Sequence, residues 1–137
     1  MLHRAIDELP TLRMCTLRRL LRQTVPPIVI DPSTPIATVA RTLAASPGAI
    51  AVLVDASFVL RGTLALDELD GPSDHVAEAI AVKTPMMEPE TDVDSARITM
   101  ELAGVNRVLV VAFNGQMLGV ITRDDLDRAM KRSSVSA

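Results

Sequence analysis

The chain contains one unit that is written twice. Aligned with itself at an offset of 57 residues, the separation of Gly62 and Gly119, the 137-residue sequence keeps identical residues in register without a gap. The coinciding pairs include Val25 with Val82, Pro32 with Pro89, Thr34 with Thr91, Thr42 with Thr99, Val54 with Val111, Gly62 with Gly119, Asp67 with Asp124 and Leu69 with Leu126. A repeat that cannot bury its own apolar face is stabilised by stacking on its copy. The duplication therefore predicts two half-folds that support each other.

Both copies predict the same order of elements, β-α-β-β-α. Short apolar runs indicate the strands, apolar residues at helical spacing indicate the helices, and Asn114-Gly115 is typical of a hairpin turn. The first copy is predicted to contain strand Ile28–Ile30, a helix with apolar positions from Ile36 to Leu43, strands Ala49–Val54 and Val59–Leu64, and helix Leu66–Asp70. The second is predicted to contain strand Met86–Met87, a helix with apolar positions from Val93 to Ala103, strands Arg107–Ala112 and Met117–Thr122, and helix Arg123–Met130.

The first long helix of each copy has a start signal. Thr34 and Thr91 stand where an N-cap residue is expected, and Pro35 suits the first helical position. Asp74 to Ala81 and Thr16 to Gln23 are predicted helical lead-ins to the second and first copies. Strands and helices that alternate in this way, with neither half able to cover its sheet, indicate an α/β fold with pseudo-twofold symmetry.

The same signals divide the chain into five segments. They are an N-terminal helical extension (1–23), a first repeat (24–70), a linker with a lead-in helix (71–81), a second repeat (82–131) and a flexible tail (132–137). In the extension, Arg13, Arg18, Arg19 and Arg22 accompany an apolar stripe of Met14, Leu17, Leu20 and Leu21. This pattern fits a phosphate or membrane-surface patch, but it favours a helix that packs its leucines on the module or on a partner subunit.

Composition narrows the partners. Hydrophobic residues make up 48% of the chain and aromatic residues 1%, so the core is predicted to be aliphatic. Such a surplus in a small chain indicates apolar surface that is buried against a second copy, and we expect a homodimer. The formal net charge of −3 provides no basic field, which argues against nucleic acid as a partner.

Several classes of site and location are not predicted. Cys15 is the only cysteine, which excludes an intrachain disulfide and favours a reducing, cytoplasmic location. No apolar stretch reaches the roughly 18 residues of a membrane span. His3 and His75 are too isolated to indicate a metal site. No nucleophile or histidine base accompanies the paired carboxylates Asp67-Glu68 and Asp124-Asp125, so we expect no catalysis.

The segment NRVLVVAFNGQMLGVITRDDL, which ends at Leu126, resembles the second half of a cystathionine-β-synthase (CBS) domain. Its motif G-x-x-[ST]-x-x-D is present as Gly119, Thr122 and Asp125, and the tandem copies resemble a Bateman module from about Thr24 to Met130. The resemblance implies two β-α-β-β-α repeats that pack through their sheets with pseudo-twofold symmetry. It also implies two clefts, which often bind adenosine nucleotides in this family, and a dimer shaped like a flat disc.

The resemblance further implies a ligand-binding set in the second copy. The set is Thr84, Pro85, Met86, Arg107, Val120, Ile121, Thr122 and Asp125. Asp125 stands at the ribose position, where a carboxylate can accept hydrogen bonds from both hydroxyls of the diol. Thr122 accompanies it, and Arg107 stands at the position of a phosphate-contacting arginine. The extended segment before and into strand Met86–Met87 would meet the adenine edge through its backbone, between the aliphatic side chains of the motif strand.

The first copy departs from this pattern at each of these positions. Ile50, Ala65 and Glu68 stand where the second copy has arginine, threonine and aspartate. The longer side chain of Glu68 moves its carboxylate by about 1.5 Å. We therefore expect at most one competent cleft per chain.

Two functions follow from these observations. The first is a stand-alone regulatory module without a cofactor. It binds an adenosine-containing ligand of the AMP, ADP and ATP class in the second cleft and modulates a partner protein. The second is a ligand-free dimerisation or interaction scaffold. The stretch from Thr122 to Asp125 is also a capping-box pattern, which explains both residues without any ligand.

Overall fold

The computed structural model describes residues 15–69 and 75–136, with side chains to Lys131. The chain forms two compact units. The first unit is Val25–Thr84, and the second unit combines the described residues up to Thr24 with those from Pro85 onward. The predictions that concern His3, Arg13, Met14 and the linker residues 71–73 lie outside the described residues.

Each unit contains one three-stranded sheet with the same topology. In chain order the elements are α1 (Leu17–Leu20), β1 (Ile28–Ile30), α2 (Ile36–Ala44), β2 (Ala51–Val54), β3 (Leu60–Leu64), β4 (Met86–Met87), α3 (Val93–Ala103), β5 (Arg107–Val111), β6 (Met117–Thr122) and α4 (Arg123–Ser136). Short 3-10 helices occupy Leu21–Gln23, Leu66–Glu68 and Ala77–Ile80. In each sheet the first strand pairs parallel with the second and the second pairs antiparallel with the third. The fold is mixed α/β, and both copies have the predicted order of elements.

The predicted N-caps are wrong by one residue. Pro35, in an extended conformation, is the N-cap of α2, and Asp92 is the N-cap of α3. The Asp92 carboxylate, rather than the Thr91 hydroxyl, accepts the capping hydrogen bond from the Ser95 N–H, at 2.8 Å. Thr91 instead takes part in a turn through its own N–H, which donates to the Glu88 carbonyl. A charged carboxylate at the N-cap also favours the positive end of the helix.

Several predicted element ends differ from the observed ones. The strands predicted to begin at Ala49 and Val59 are shorter at their start, and the strand predicted to end at Ala112 ends one residue earlier. The helix predicted at Leu66 and the lead-in predicted at Asp74 to Ala81 are single 3-10 turns. Conversely, α4 continues to Ser136, whereas the helix was predicted to end at Met130. No glycine or proline follows Met130 to end that helix.

The two lead-in segments each complete the unit of the other copy. The segment before the first copy packs in the second unit, where Leu17 and Leu20 are buried in the core. The segment before the second copy packs in the first unit, where Ala77 is buried in the core and Ile80 and Ala81 pack against it. Each core therefore contains side chains that come from outside its own copy of the repeat.

The two hairpins make the same turn with different residues. In both, a reverse turn precedes one residue with positive φ, which is Gly115 (φ 86°) in the second unit and Phe58 (φ 62°) in the first. Glycine adopts this conformation without a steric penalty, whereas phenylalanine does not. In the first hairpin the Asp55 carboxylate compensates, since it accepts hydrogen bonds from the N–H groups of Val59 and Ser57. The Val59 bond contributes most to a pKa of Asp55 that lies below its usual value. The Ser57 bond and the hydrogen bond and charge of Arg61 act in the same direction.

Candidate functional site

The register of the β5–β6 hairpin brings the two polar ends of these strands together. Arg107 pairs directly with Thr122, and Leu109 pairs with Val120. Met86 pairs with Leu109 in the parallel β4–β5 ladder. Paired residues of a sheet point to the same face. The five residues therefore share one face of the sheet, here called the site face.

The opposite face of the same sheet is the core face. Val108, Val110 and Ile121 point there and are buried with α3 and α4 residues in the core of the second unit. The predicted site residue Ile121 thus lies on the core face, and only its backbone lies at the level of the site. The residue that the sequence prediction omitted is Leu109, which is nearly fully buried and lies beside Val120 on the site face.

Arg107 is the polar centre of the site face. Its side chain is 1% exposed, which is rare for a charged residue and requires polar partners. One of these partners is the Asn106 side chain, whose Oδ1 accepts a hydrogen bond from Arg107 Nη1 at 2.9 Å. The Asn106 carbonyl in turn accepts a bond of 2.7 Å from the N–H of Arg123. Asn106 therefore connects the start of β5 to the start of α4.

Thr122 and Asp125 form a reciprocal cap at the start of α4. The Thr122 N–H donates to Asp125 Oδ2 at 2.8 Å, and the Asp125 N–H donates to Thr122 Oγ1 at 3.2 Å. The capping box that the sequence indicated is thus present in the structure. Because Thr122 is the cross-strand partner of Arg107, the cap holds the Asp125 carboxylate at the same end of the sheet as the guanidinium group.

The second oxygen of this carboxylate also has a protein partner. Asp125 Oδ1 accepts a hydrogen bond from Arg128 Nη2 on the next turn of α4. A carboxylate oxygen has two lone pairs, so each Asp125 oxygen can accept one more hydrogen bond. The Asp125 side chain is 12% exposed and the Arg128 side chain is 64% exposed, so the partner rather than the carboxylate faces solvent.

The segment that leads into β4 is divided between the two units. Thr84 belongs to the first unit, where its hydroxyl donates to the Val82 carbonyl at 2.9 Å and lies 2.6 Å from the Thr63 hydroxyl. Pro85 belongs to the second unit and its carbonyl accepts a hydrogen bond from the Leu109 N–H at 2.8 Å. In a parallel ladder the residue between two bonded neighbours directs its own N–H and C=O away from the partner strand. The backbone of Met86 is therefore directed away from β5, at the edge of the sheet.

The corresponding end of the first unit carries only part of this arrangement. Glu68 Oε1 accepts a hydrogen bond of 2.8 Å from the Ala65 N–H, as Asp125 does from Thr122. Ala65 has no hydroxyl to return the bond. Ile50 occupies the position of the arginine, so the first unit retains the carboxylate cap but has neither the hydroxyl nor the buried arginine.

The described residues limit other chemistry. Within residues 15–69 and 75–136, no group of three or more histidine, cysteine, aspartate or glutamate side chains is arranged to hold a metal ion. In the same part of the chain, no helix is both long enough and apolar enough to cross a membrane.

Two units of this topology define a class of paired β-α-β-β-α modules, and solved structures of that class align with the chain. The CBS-domain pair of protein MJ0100, in complex with 5′-methylthioadenosine and S-adenosyl-L-methionine, aligns with a TM-score of 0.75 and 19% identity over 88% of this chain and 98% of that one. Protein PAE2072 of Pyrobaculum aerophilum, complexed with AMP, aligns with a TM-score of 0.72 and 23% identity over 89% and 99%. The CBS-domain protein ATU1752 of Agrobacterium tumefaciens aligns with 0.73 and 20% over 85% and 94%.

The sequence itself identifies the family of the second repeat. Residues 72–132 match the family model of the CBS domain. No curated protein sequence matches the chain significantly. Residues 72–132 thus match the CBS domain and the chain has the fold of a tandem CBS-domain pair, which confirms the resemblance found in the sequence.

Proposed function

We propose that this chain is a regulatory CBS pair whose second unit binds an adenosine-containing ligand on the site face. The observation that carries the proposal is the pairing of buried Arg107 with Thr122, which the reciprocal cap extends to Asp125. The cation and the hydroxyl at one end of this face suit a phosphate, and the carboxylate suits a sugar. The apolar remainder of the face suits a base. Complexes of similarly folded proteins with AMP and with S-adenosyl-L-methionine support the same ligand class.

Each group has a role in this proposal. Asp125 accepts hydrogen bonds from the ribose hydroxyls, and Arg107 with Thr122 binds the phosphate near the start of α4, where the helix favours an anion. Leu109 and Val120 provide apolar contact to the adenine by dispersion and burial. The outward-directed backbone of Met86 meets the polar edge of the base. No residue has a catalytic role, and the ligand is an effector rather than a cofactor.

Ligand binding is tested by thermal unfolding with AMP, ADP, ATP and S-adenosyl-L-methionine. A ligand at about 100 times its dissociation constant stabilises the folded state by about 2.7 kcal/mol. For a chain of this size that corresponds to a rise in Tm of about 10 °C. Asp125→Ala is expected to abolish the rise because the ribose loses its acceptor.

The matched control is Glu68→Ala, which removes the equivalent carboxylate cap in the first unit. Both variants lose a cap, worth about 1 kcal/mol, so both lower the Tm without ligand. Only Asp125→Ala should lose the ligand-induced shift. The absence of a shift with all four compounds, or equal shifts in Asp125→Ala and wild type, would contradict the proposal.

We also propose that two copies associate through the outer face of α3. Ile98 and Leu102, one helical turn apart, are 51% and 84% exposed on this face. The repeat-equivalent positions are Arg41 in α2 and Ala45, the residue that follows α2, so this apolar pair is a feature of α3. Exposed apolar side chains at adjacent turns are typical of an interaction surface.

The dimer is tested with the double variant Ile98→Arg and Leu102→Ala, which gives α3 the residues of the first copy. We expect wild type to be dimeric at micromolar concentration by light scattering and the variant to dissociate at least about tenfold more readily. Arg41→Ala, on the equivalent face of α2, is the control and should remain dimeric. A monomeric wild type would refute the dimer.

The alternative function is a ligand-free interaction scaffold. The observation in its favour is that the cap and Arg128 already satisfy Thr122 and Asp125 within the protein. A protein that is dimeric, shows no ligand-induced shift and retains a specific partner would support it. In either case we propose that the protein acts on a partner. We also propose a cytoplasmic location, which the single cysteine, Cys15, favours.

A further inference from the structure

Arg128 occupies the part of the Asp125 carboxylate that the helix cap leaves available. The cap uses Oδ2 through the Thr122 N–H, and Arg128 Nη2 donates to Oδ1. The two residues are three positions apart on α4, so their contact is made within one helical turn and needs no other element. A ribose diol donates two hydroxyl protons and needs both oxygens of the same carboxylate.

We propose that Arg128 competes with the sugar for Asp125 and thereby sets the affinity of the site. This inference rests on the proposed function, because it assumes that the ligand carries a ribose. Arg128 must leave Oδ1, or share it, before the diol can bind with both hydroxyls. In the repeat-equivalent position of the first unit the residue is Gly71, so the competing side chain is a feature of the second copy alone.

The competition is weak enough to be displaced by a ligand. The Arg128 side chain is 64% exposed, and an exposed ion pair on a helix contributes little to stability because water and salt screen it. A ligand that must break this ion pair should therefore bind about two- to fivefold more weakly than it would to a site without the arginine. Arg128 thus lowers the affinity for the sugar without preventing binding.

The test measures adenosine affinity by calorimetry in wild type, Arg128→Ala and Asp125→Ala. Adenosine carries no charge at neutral pH, so removal of a cation does not change its attraction to the protein through charge. Arg128→Ala is expected to bind adenosine about two- to fivefold more tightly, and Asp125→Ala to lose binding. Arg97→Ala is the matched control, since Arg97 forms the same i, i+3 ion pair with Asp94 on α3. It should bind as wild type does.

The dependence of adenosine affinity on ionic strength provides a second readout, which does not depend on the stability of the variants. Salt weakens the Arg128–Asp125 pair, so adenosine affinity of wild type should rise between about 0.05 M and about 0.5 M sodium chloride. In Arg128→Ala this dependence should disappear. Equal or weaker binding by Arg128→Ala, or the same salt dependence in both proteins, overturns the competition while leaving the proposed function intact. Failure of wild type and Arg128→Ala alike to bind adenosine overturns the competition, and the proposed function is then decided separately by the thermal shifts with AMP, ADP, ATP and S-adenosyl-L-methionine.

Discussion

Gly62→Ala is expected to lower the free energy of unfolding by about 3 kcal/mol and the Tm by about 10 °C. A β-carbon at this position would lie 2.8 Å from the Val82 carbonyl oxygen and 2.9 Å from the β-carbon of Ala81. The backbone of Gly62 also has φ of 139°, which an alanine rarely adopts. Val82 cannot move away freely because it exchanges two hydrogen bonds with Thr63, next to the substituted residue.

Gly119→Ala provides the comparison in the second unit, since Gly119 is the repeat equivalent of Gly62. Here a β-carbon would lie 2.7 Å from Cδ2 of Leu21, the far end of a flexible side chain. That side chain can rotate, so we expect a smaller loss of about 1 kcal/mol, measured by urea unfolding. The additional change Leu21→Ala should remove the part of the Gly119→Ala penalty that comes from this contact and leave the part that comes from the backbone, whose φ is 159°. Equal losses for the two glycine variants would show that the Val82 backbone does not constrain Gly62.

The order of elements followed from the sequence because the repeat supplied two independent examples of each signal. Strand β4 has only two residues and would be an ambiguous pattern alone, but its copy Ile28–Ile30 is a clear β-branched run. The gapless offset fixed its position. The hairpin of β5 and β6 was likewise accessible, since Asn114-Gly115 lies between two apolar runs. The register shift between Val110 and Val111, which sets the pairing of Arg107 with Thr122, was not.

The first hairpin shows what local signals could not predict. Its αL position carries Phe58, a residue that gives no turn signal, and the turn is stabilised by the Asp55 side chain instead. The packing of the lead-in segments was also inaccessible. The spacing of Leu17 and Leu20 predicts an apolar helix face, but the pattern contains no information about which sheet that face covers.

Within the site, alternation along β6 was a signal that sequence reasoning did not use. Val120 and Ile121 are neighbours in a strand and must point to opposite faces, so they cannot both flank one ligand. Applying the same alternation to β5 selects Leu109 together with Arg107. The contact of Arg128 with Asp125 could not be predicted, because a sequence does not show whether an exposed arginine turns toward a carboxylate or toward solvent.

Leu17→Ala is expected to lower the free energy of unfolding by about 3 kcal/mol, the usual cost of truncating a fully buried leucine. Leu17 has no exposed surface and lies in the core of the second unit with α3 and α4 side chains. Its N–H donates to the Thr91 carbonyl at 3.0 Å, which fixes the segment beside the start of α3. The loss is measured by chemical unfolding followed by circular dichroism.

Arg19→Ala is the control, since Arg19 is exposed in the same helical turn and its loss should change stability by less than about 0.5 kcal/mol. A loss of that small size for Leu17→Ala would show that the segment does not belong to the second unit in solution. The expected large loss has a further consequence for function. The same segment places Leu21 against Gly119, the first residue of the motif that ends at Asp125. The extension before the first copy therefore supports the strand that carries the candidate site in the second copy.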